Sequence, residues 1–307
     1  MSRIFDACRR YRNGEAGEVS GNGPDAAQNG AEAIPFPELR PKLWESFPVI
    51  TCQAGPDERV VACDHNQSLA LEKFHLLSHR LIEIRQKWPL KTLTVTSCVP
   101  KEGKTIVTIN LAFTLARNPG RVLLVDGDMR QPGISRTLRL DPLPGLADYL
   151  EGRQEFEAVV RRIEPQHVFY MPAGRASGNP FTLLQGPRMR ELAQRLTPVF
   201  DWIVIDSPPL VPFADGHCLA KLSDAALLVV RTGVTPKEVI EKAVATLAGV
   251  RIAGVVWNSS EEIAHDRYYY AKYSGEPAPA AVNARSFPGG PSGPSGLTGP
   301  SGKAPRK

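Results

Sequence analysis

The sequence lacks the features that mark several common classes of protein. No run approaches the roughly 20 apolar residues of a membrane-spanning helix, and the N-terminus has no apolar signal core. The five cysteines (Cys8, Cys52, Cys63, Cys98 and Cys218) are scattered, without the paired spacings of a zinc site or a disulfide framework. These absences predict a protein of the reducing cytoplasm with no direct membrane span, whose membrane role would come from a partner.

A strong charge of one sign is also missing. The formal net charge is +5, and residues 275–307 supply +3 of it, from four basic residues against the single acid Glu276. Because the remainder is close to neutral, charge gives no support for a nucleic-acid partner. With 307 residues, 42% of them hydrophobic, the chain is long enough for one large α/β domain with extensions.

Composition divides the chain into four parts. Residues 1–45 read as an N-terminal extension and linker, and residues 275–307, with seven Gly and seven Pro, as a tail; both are predicted to be largely disordered. Residues 46–264 alternate apolar strands with helical stretches and form the predicted folded domain. Residues 265–274 carry a cluster of tyrosines.

The most informative segment is 97–105, Ser-Cys-Val-Pro-Lys-Glu-Gly-Lys-Thr, between an apolar run and an amphipathic stretch. A strand, a loop and a helix around Gly-Lys-Thr are the setting of a phosphate-binding loop, although Cys98 replaces the first glycine. Loop N–H groups and the helix N-terminus bind an anion, Lys104 adds a full charge, and the Thr105 hydroxyl suits Mg²⁺. The predicted nucleotide-binding residues here are Lys101, Glu102, Gly103, Lys104, Thr105 and Ile106.

The apolar pattern also predicts the fold class. Near-continuous apolar strands between helices indicate a parallel sheet covered on both faces. We expect an α/β, doubly wound, mostly parallel sheet of the P-loop NTPase type, with ligands at the carboxyl ends of the strands. The predicted strands are 93–96, 121–128, 167–172, 202–206, 225–230 and 252–258, and the predicted helices are 67–88, 106–117, 146–150, 182–196, 215–222 and 236–247.

Three aspartates follow two of these strands. Asp126 and Asp128 end the first, and Asp206 ends the second in the pattern of a Walker B acid. One such aspartate is often only a turn residue, but three in this order after a phosphate loop predict catalytic and metal roles. Lys104 and the three aspartates are the predicted catalytic residues, and Thr105, Asp128 and Asp206 the predicted Mg²⁺ ligands. Asp126 is the better candidate for contacting an incoming hydroxyl, although the sequence does not distinguish it from Asp128.

Two C-terminal features have two interpretations each. Asn258 ends the last strand, where its amide could bind an adenine edge or simply form a turn. Tyr268, Tyr269, Tyr270 and Tyr273 form a cluster in which three consecutive rings face different directions, which fits a core poorly. They are predicted to be phosphoacceptors, with an aromatic patch for protein contact as the alternative.

With these residues assembled, the chain resembles the bacterial tyrosine kinases of capsule and exopolysaccharide synthesis, in their stand-alone form. The resemblance covers roughly residues 67–273. It rests on residues 97–105, 126–132, 172–174 with 179–180, 201–209 and 231–235 and on the tyrosines. Partition ATPases of the wider superfamily have a signature lysine at the position of Val99, so the sequence departs from that group.

The resemblance implies an ATP- and Mg²⁺-dependent autokinase that phosphorylates the tyrosines of a neighbouring protomer. It also implies a membrane chain-length regulator that activates the kinase in trans, so that a cytoplasmic protein is recruited to the inner face of the membrane. Lys101 stands where the family usually has glycine, and an ExxRxxR helix used for subunit contacts aligns on Glu72, His75 and Ser78, without its arginines. Two alternatives remain: a nucleotide-switched ATPase scaffold that recruits polysaccharide-synthesis partners, and a DNA-partition ATPase.

Overall fold

A central sheet with helices on both faces forms the folded part of the chain. The computed structural model describes residues 47–53, 59–63 and 68–259. The strands are β1 (Val49–Thr51), β2 (Thr92–Ser97), β3 (Val122–Asp126), β4 (Arg161–Glu164), β5 (Val168–Met171), β6 (Trp202–Asp206), β7 (Ala225–Arg231) and β8 (Ile252–Asn258). The helices are α1 (Leu69–Lys87), α2 (Lys104–Leu115), α3 (Ile134–Leu138), α4 (Leu146–Leu150), α5 (Phe156–Val159), α6 (Pro180–Gln185), α7 (Pro187–Leu196), α8 (Asp215–Leu222) and α9 (Lys237–Thr246), with a 3-10 helix at Val61–Cys63.

The order of the strands places the loops that follow β2, β3 and β6 side by side. Across the sheet the order is β1-β4-β5-β3-β6-β2-β7-β8, and every neighbouring pair is parallel except β4 with β5. This confirms the predicted doubly wound, mostly parallel α/β fold. Because β3, β6 and β2 are adjacent, parallel and central, their carboxyl ends meet at one edge of the sheet.

Alternation along the strands builds a core on each face of the sheet. Val204 of β6 packs in the cluster that contains apolar residues of α1 and α2. Its neighbours Ile203 and Ile205 point the other way, into the cluster that contains residues of α4, α6 and α7. Successive side chains of a strand face opposite sides of a sheet, so an apolar run such as 202–205 requires cover on both faces. Within the part of the chain that the structure describes, no helix is both long and apolar enough to cross a membrane.

Local chemistry explains where the expected elements differ from the observed ones. The predicted helix 182–196 is two helices, because Gly186 is extended (φ −66°, ψ 162°) and Pro187, which has no N–H, opens α7. Strands β1 and β4 were not predicted: β1 has three residues, and β4 is Arg-Arg-Ile-Glu, with Ile163 as its one apolar residue. The predicted extension 1–45, tyrosine cluster 265–274 and tail 275–307 lie outside the described residues.

Candidate active site

The phosphate-binding loop joins β2 to α2 in the predicted arrangement. Lys104 is the first residue of α2, two residues before the predicted start, and Gly103 precedes it with a left-handed φ of 92°. A Cβ on Gly103 would also lie 2.1 Å from Nδ2 of Asn258, so glycine is required by conformation and by space. Lys101 has φ 66°, a left-handed conformation that a residue with a Cβ adopts only at a cost.

Side chains from the ends of β3 and β6 and from α2 converge around Lys104. Its ammonium lies 3.0 Å from Oδ2 of Asp128 and 3.5 Å from Oδ2 of Asp206. The Thr105 hydroxyl donates to Asp206 at 2.6 Å, and the Thr108 hydroxyl to the other oxygen at 3.2 Å. Burial lowers the pKa of Lys104, but Asp206 and Asp128 outweigh it, so that this pKa lies above its usual value and Lys104 is charged. The charged ammonium of Lys104 is therefore held by the carboxylates of Asp128 and Asp206.

Asp126 differs from Asp128 in its surroundings. It is fully buried, and its two carboxylate oxygens accept hydrogen bonds from the backbone N–H groups of Asp128 (3.2 Å) and Ile134 (3.1 Å). Burial and the neighbouring Asp206 raise the pKa of Asp126 to about 8. Asp128, by contrast, lines the cavity beside the phosphate loop. The expectation that Asp126 contacts a substrate hydroxyl stays a prediction, and the burial of Asp126 argues against it.

The raised pKa of Asp126 predicts a pH-dependent stability. The folded chain binds the proton of Asp126 more tightly than the unfolded chain does, so this proton contributes to the free energy of unfolding. The contribution is fully present below pH 3.8 and is lost as the pH rises through about 8. Asp126→Asn cannot ionise and loses this dependence. Thermal unfolding of both nucleotide-free proteins between about pH 4 and pH 8 checks the prediction, since Asp206 is present in both. A difference in Tm that stays constant over this range would contradict it.

Glycine between the two aspartates brings the ends of β3 and β6 together. The N–H of Gly127 donates to the carbonyl of Asp206 at 2.8 Å. A Cβ at this position would lie 2.8 Å from that carbonyl oxygen and 2.7 Å from Leu219. The close approach explains the Asp-Gly-Asp order, because a larger residue would push Asp126 and Asp206 apart.

Beside Lys104 lies a cavity of about 410 Å³ that sequence reasoning left partly unassigned. Arg130 lines it, forms an ion pair with the buried Asp215, and lies 4.7 Å above the ring of Phe213. Arg136, on the exposed side of α3, lines it as well. Arg130 falls in the 126–132 segment that carried the resemblance, so that motif was a usable signal. Phe213 and Arg136 have no local signal, since only the fold brings them to the loop.

Glu102 was predicted to bind the nucleotide, which stays a prediction, and its carboxylate ties the loops together. One oxygen accepts from the N–H of Val99 at 2.8 Å. The other accepts from the N–H of Arg231 at 3.2 Å and from the hydroxyl of Thr235. Asn258 donates from Nδ2 to the carbonyl of Glu102 at 2.8 Å and accepts from Ser259 N–H at 3.0 Å, so both ends of the predicted adenine-binding amide have protein partners.

We therefore expect Glu102→Ala to destabilise the protein by about 2–4 kcal/mol, because three donors lose a shared acceptor that is only 2% exposed. Urea unfolding measures the free energy. Glu102→Gln, which keeps one acceptor oxygen, should lose less. The exposed Glu241 of α9 supplies the control, since Glu241→Ala removes only a surface pair with Lys237. Equal losses in the Glu102→Ala and Glu241→Ala variants would contradict the structural role of Glu102.

The donors around Lys104 fit Mg²⁺. Among residues 47–53, 59–63 and 68–259, no three His, Cys, Asp or Glu side chains form a group that could hold a metal unaided. Mg²⁺ in nucleotide sites normally uses one or two carboxylates beside phosphates and water. The Thr105 hydroxyl and the carboxylates of Asp206 and Asp128 are such a set of hard oxygen donors at adjacent strand ends. Two further predicted residues, Lys101 and Ile106, line the cavity, and Lys101 is exposed. The four predicted tyrosines lie outside the described residues.

Comparison with known proteins decides the family. No protein-family model matches the chain. It is 34% identical over 172 residues to tyrosine-protein kinase CpsD of Streptococcus pneumoniae, a match that covers 76% of CpsD and 55% of this chain. The chain belongs to the bacterial tyrosine-protein kinases. Both the predicted family and the predicted enzyme class are thereby confirmed.

Other relatives differ in length from this kinase. Tyrosine-protein kinase YwqD of Bacillus subtilis is 29% identical over 213 residues, which are 69% of this chain and 90% of YwqD. The succinoglycan biosynthesis transport protein ExoP of Rhizobium meliloti is 31% identical over 176 residues, 56% of this chain but only 22% of ExoP. The solved structure of the VpsO kinase domain has 31% identity and a TM-score of 0.60, and the match covers 68% of this chain and 100% of that domain. The family therefore includes both short kinases and kinase domains within longer chains.

Proposed function

We propose that this kinase transfers the γ-phosphate of ATP to its own C-terminal tyrosines, Tyr268, Tyr269, Tyr270 and Tyr273, and so regulates polymerisation or export of an exopolysaccharide. The observation that carries the proposal is the convergence of Lys104, Thr105, Asp128 and Asp206 at the end of a phosphate loop in a member of the tyrosine-kinase family. The relation to ExoP supports a role in polysaccharide synthesis.

The chain's own residues supply positioning and charge. The loop N–H groups and the positive end of α2 would bind the phosphates of ATP, and Lys104 would move from Asp128 toward them. Thr105, Asp206 and Asp128 would hold Mg²⁺, which when bound neutralises charge on the phosphate oxygens. Asp128, at the wall of the cavity, is our proposed group for accepting or orienting the tyrosine proton. Asp126 would instead hold the 126–134 turn in shape through its two backbone hydrogen bonds.

The partner proposed is a membrane chain-length regulator that activates the kinase in trans, with self-association between protomers. The longer relatives support it, because in ExoP a kinase-like region is 22% of a transport protein. A separate membrane chain would then recruit a cytoplasmic kinase to the inner face of the membrane.

Transfer of label from γ-labelled ATP tests the proposal. The variant with all four tyrosines changed to Phe should lose at least about nine-tenths of the label, because only the accepting hydroxyls are removed. Tyr11→Phe is the matched control and should keep the wild-type level. Assays are run alone and with the cytoplasmic segment of the candidate regulator.

Two results would overturn the proposal. Unchanged labelling in the four-tyrosine variant would show that the acceptors lie elsewhere. ATP-dependent binding to a polysaccharide-synthesis partner with no phosphotyrosine on the wild type would select the nucleotide-switched scaffold instead.

A further inference from the structure

Two cysteines that are eleven positions apart in the sequence meet at the edge of the sheet. Cys52 directly follows β1, and Cys63 ends the 3-10 helix Val61–Cys63. Their Sγ atoms lie 3.4 Å apart, and both residues are partly exposed. Gln166, in the turn between β4 and β5, contacts both sulfurs: its Oε1 lies 3.7 Å from Cys52, and its Nε2 donates to Cys63 at 3.6 Å. The fold thus pairs two of the cysteines that looked scattered in the sequence.

We propose that Cys52 and Cys63 form a redox-sensitive dithiol that a low-molecular-weight disulfide, such as glutathione disulfide, converts into an intramolecular disulfide. The sulfurs are in van der Waals contact, so closing the bond brings them from 3.4 Å to the roughly 2.0 Å of a disulfide. The other described cysteines lack this setting. Cys98 is fully buried in the core, and the sulfur of Cys218 has the amide of Gln185 as its neighbour at 3.9 Å.

The chemistry balances in two exchange steps. The Cys52 thiolate attacks one sulfur of glutathione disulfide, forming a mixed disulfide and releasing one glutathione thiolate. Cys63 then loses its proton to solvent and attacks the Cys52 sulfur, forming the intramolecular bond and releasing the second glutathione. The two protein thiols are oxidised, and one glutathione disulfide is reduced to two glutathione thiols.

The surroundings of Cys63 suit it to the second step. The hydrogen bond with Cys52, burial, and the charge of Cys52 raise the pKa of Cys63, whereas Arg117 lowers it. Once Cys52 is in the mixed disulfide its charge is gone, and two of the three causes that raise the pKa of Cys63 go with it. Cys63 then becomes the resolving thiol.

The disulfide would join an edge strand to the helix of the phosphate loop. The N–H of Ala62 donates to Oδ1 of Asn110 in α2 at 3.0 Å, and Nδ2 of Asn110 donates to the carbonyl of Arg59 at 3.0 Å. Arg117, just after α2, donates to the carbonyl of Ala62 at 3.2 Å. Segment 59–63 is therefore held on α2, and a bond to Cys52 would fasten it to β1 as well. Closing this loop restricts the unfolded chain, so the oxidised protein should be more stable.

Incubation of the full chain at graded ratios of glutathione disulfide to glutathione tests the proposal. Differential alkylation and peptide mapping should show that the free thiols of Cys52 and Cys63 disappear together and that the two peptides become linked. The Tm should rise by several degrees on oxidation and return to its starting value on reduction. Cys218→Ser is the matched control and should behave as the wild type. Cys52→Ser and Cys63→Ser should each leave a single thiol that forms only a glutathione adduct, with no rise in Tm.

The mapping on the wild-type chain decides the proposal even where a variant fails to fold. Separate glutathione adducts on Cys52 and Cys63, or links to Cys8 or Cys218, would overturn it. The proposal would also be overturned if both thiols stayed reduced in the folded chain at a ratio of glutathione disulfide to glutathione that oxidises them in the urea-unfolded chain. Folding should promote the bond between Cys52 and Cys63 and not hinder it.

Discussion

Replacing Lys104 with methionine is expected to lower the rate of phosphate transfer by about 10³-fold or more, because the charge that faces the phosphates is removed while the length of the side chain is kept. Lys104 is suited to this role: its side chain is only 12% exposed, and Asp206 and Asp128 raise its pKa, so that it stays charged across the working range. Single-turnover transfer of label from ATP measures the rate, and a fluorescent nucleotide measures binding.

Lys101 offers the matched control in the same loop. It lines the same cavity but is exposed, so Lys101→Met should change the rate by less than about tenfold. Because Lys104→Met leaves Asp128 and Asp206 buried without their cation, its thermal unfolding must be followed as well. Lys104→Arg keeps the charge and separates lost folding from lost catalysis. If Lys101→Met and Lys104→Met were equally impaired, the assignment of Lys104 would be wrong.

The sequence was sufficient for the centre of the site because its signals are local. Gly103, Lys104 and Thr105 form one tripeptide, and Asp126 and Asp206 each end an apolar strand. Parallel strands in a doubly wound sheet have their carboxyl ends on one edge, so the convergence of these residues followed from the fold class. What the pattern could not give was the order of the strands, in which β6 lies between β3 and β2.

The missed features all depend on contacts that are distant in sequence. Glu102 has its carboxylate bound by Arg231 and Thr235, 129 and 133 positions later, which nothing in the loop sequence reveals. The pairing of Arg130 with Asp215 spans 85 positions. The packing of whole elements brings such partners together, whereas a sequence motif contains only residues that are close along the chain.

The roles of the two neighbouring aspartates were unresolved for a specific physical reason. A one-residue gap places two side chains on the same face only while the strand continues. Here β3 ends at Asp126, so Asp128 belongs to the following turn and leaves the face of its neighbour. Asp126 is buried and accepts hydrogen bonds from two backbone N–H groups, and Asp128 reaches the cavity and Lys104.

A matched pair of variants tests this division of roles. Asp128→Asn should lower the rate of phosphate transfer by about 10²–10⁴-fold, because it removes the proposed proton acceptor, a proposed Mg²⁺ ligand and the charge that positions Lys104. Asp126→Asn should lower the rate by less than about tenfold. The reason is that Asp126 is fully buried and spends its two carboxylate oxygens on backbone N–H groups of the turn.

The two variants change aspartates that are two positions apart and carry the same chemical change, so a difference between them cannot come from the kind of substitution. Rates are compared at pH 7 with ATP saturating, and Tm is measured for each variant, because an amide at position 126 can accept only one of the two backbone hydrogen bonds. A larger loss for Asp126→Asn at unchanged Tm would give the contact with the tyrosine hydroxyl to Asp126. The opposite order would make Asp128 the carboxylate of the pair on which phosphate transfer depends, with Asp126 holding the turn that presents it.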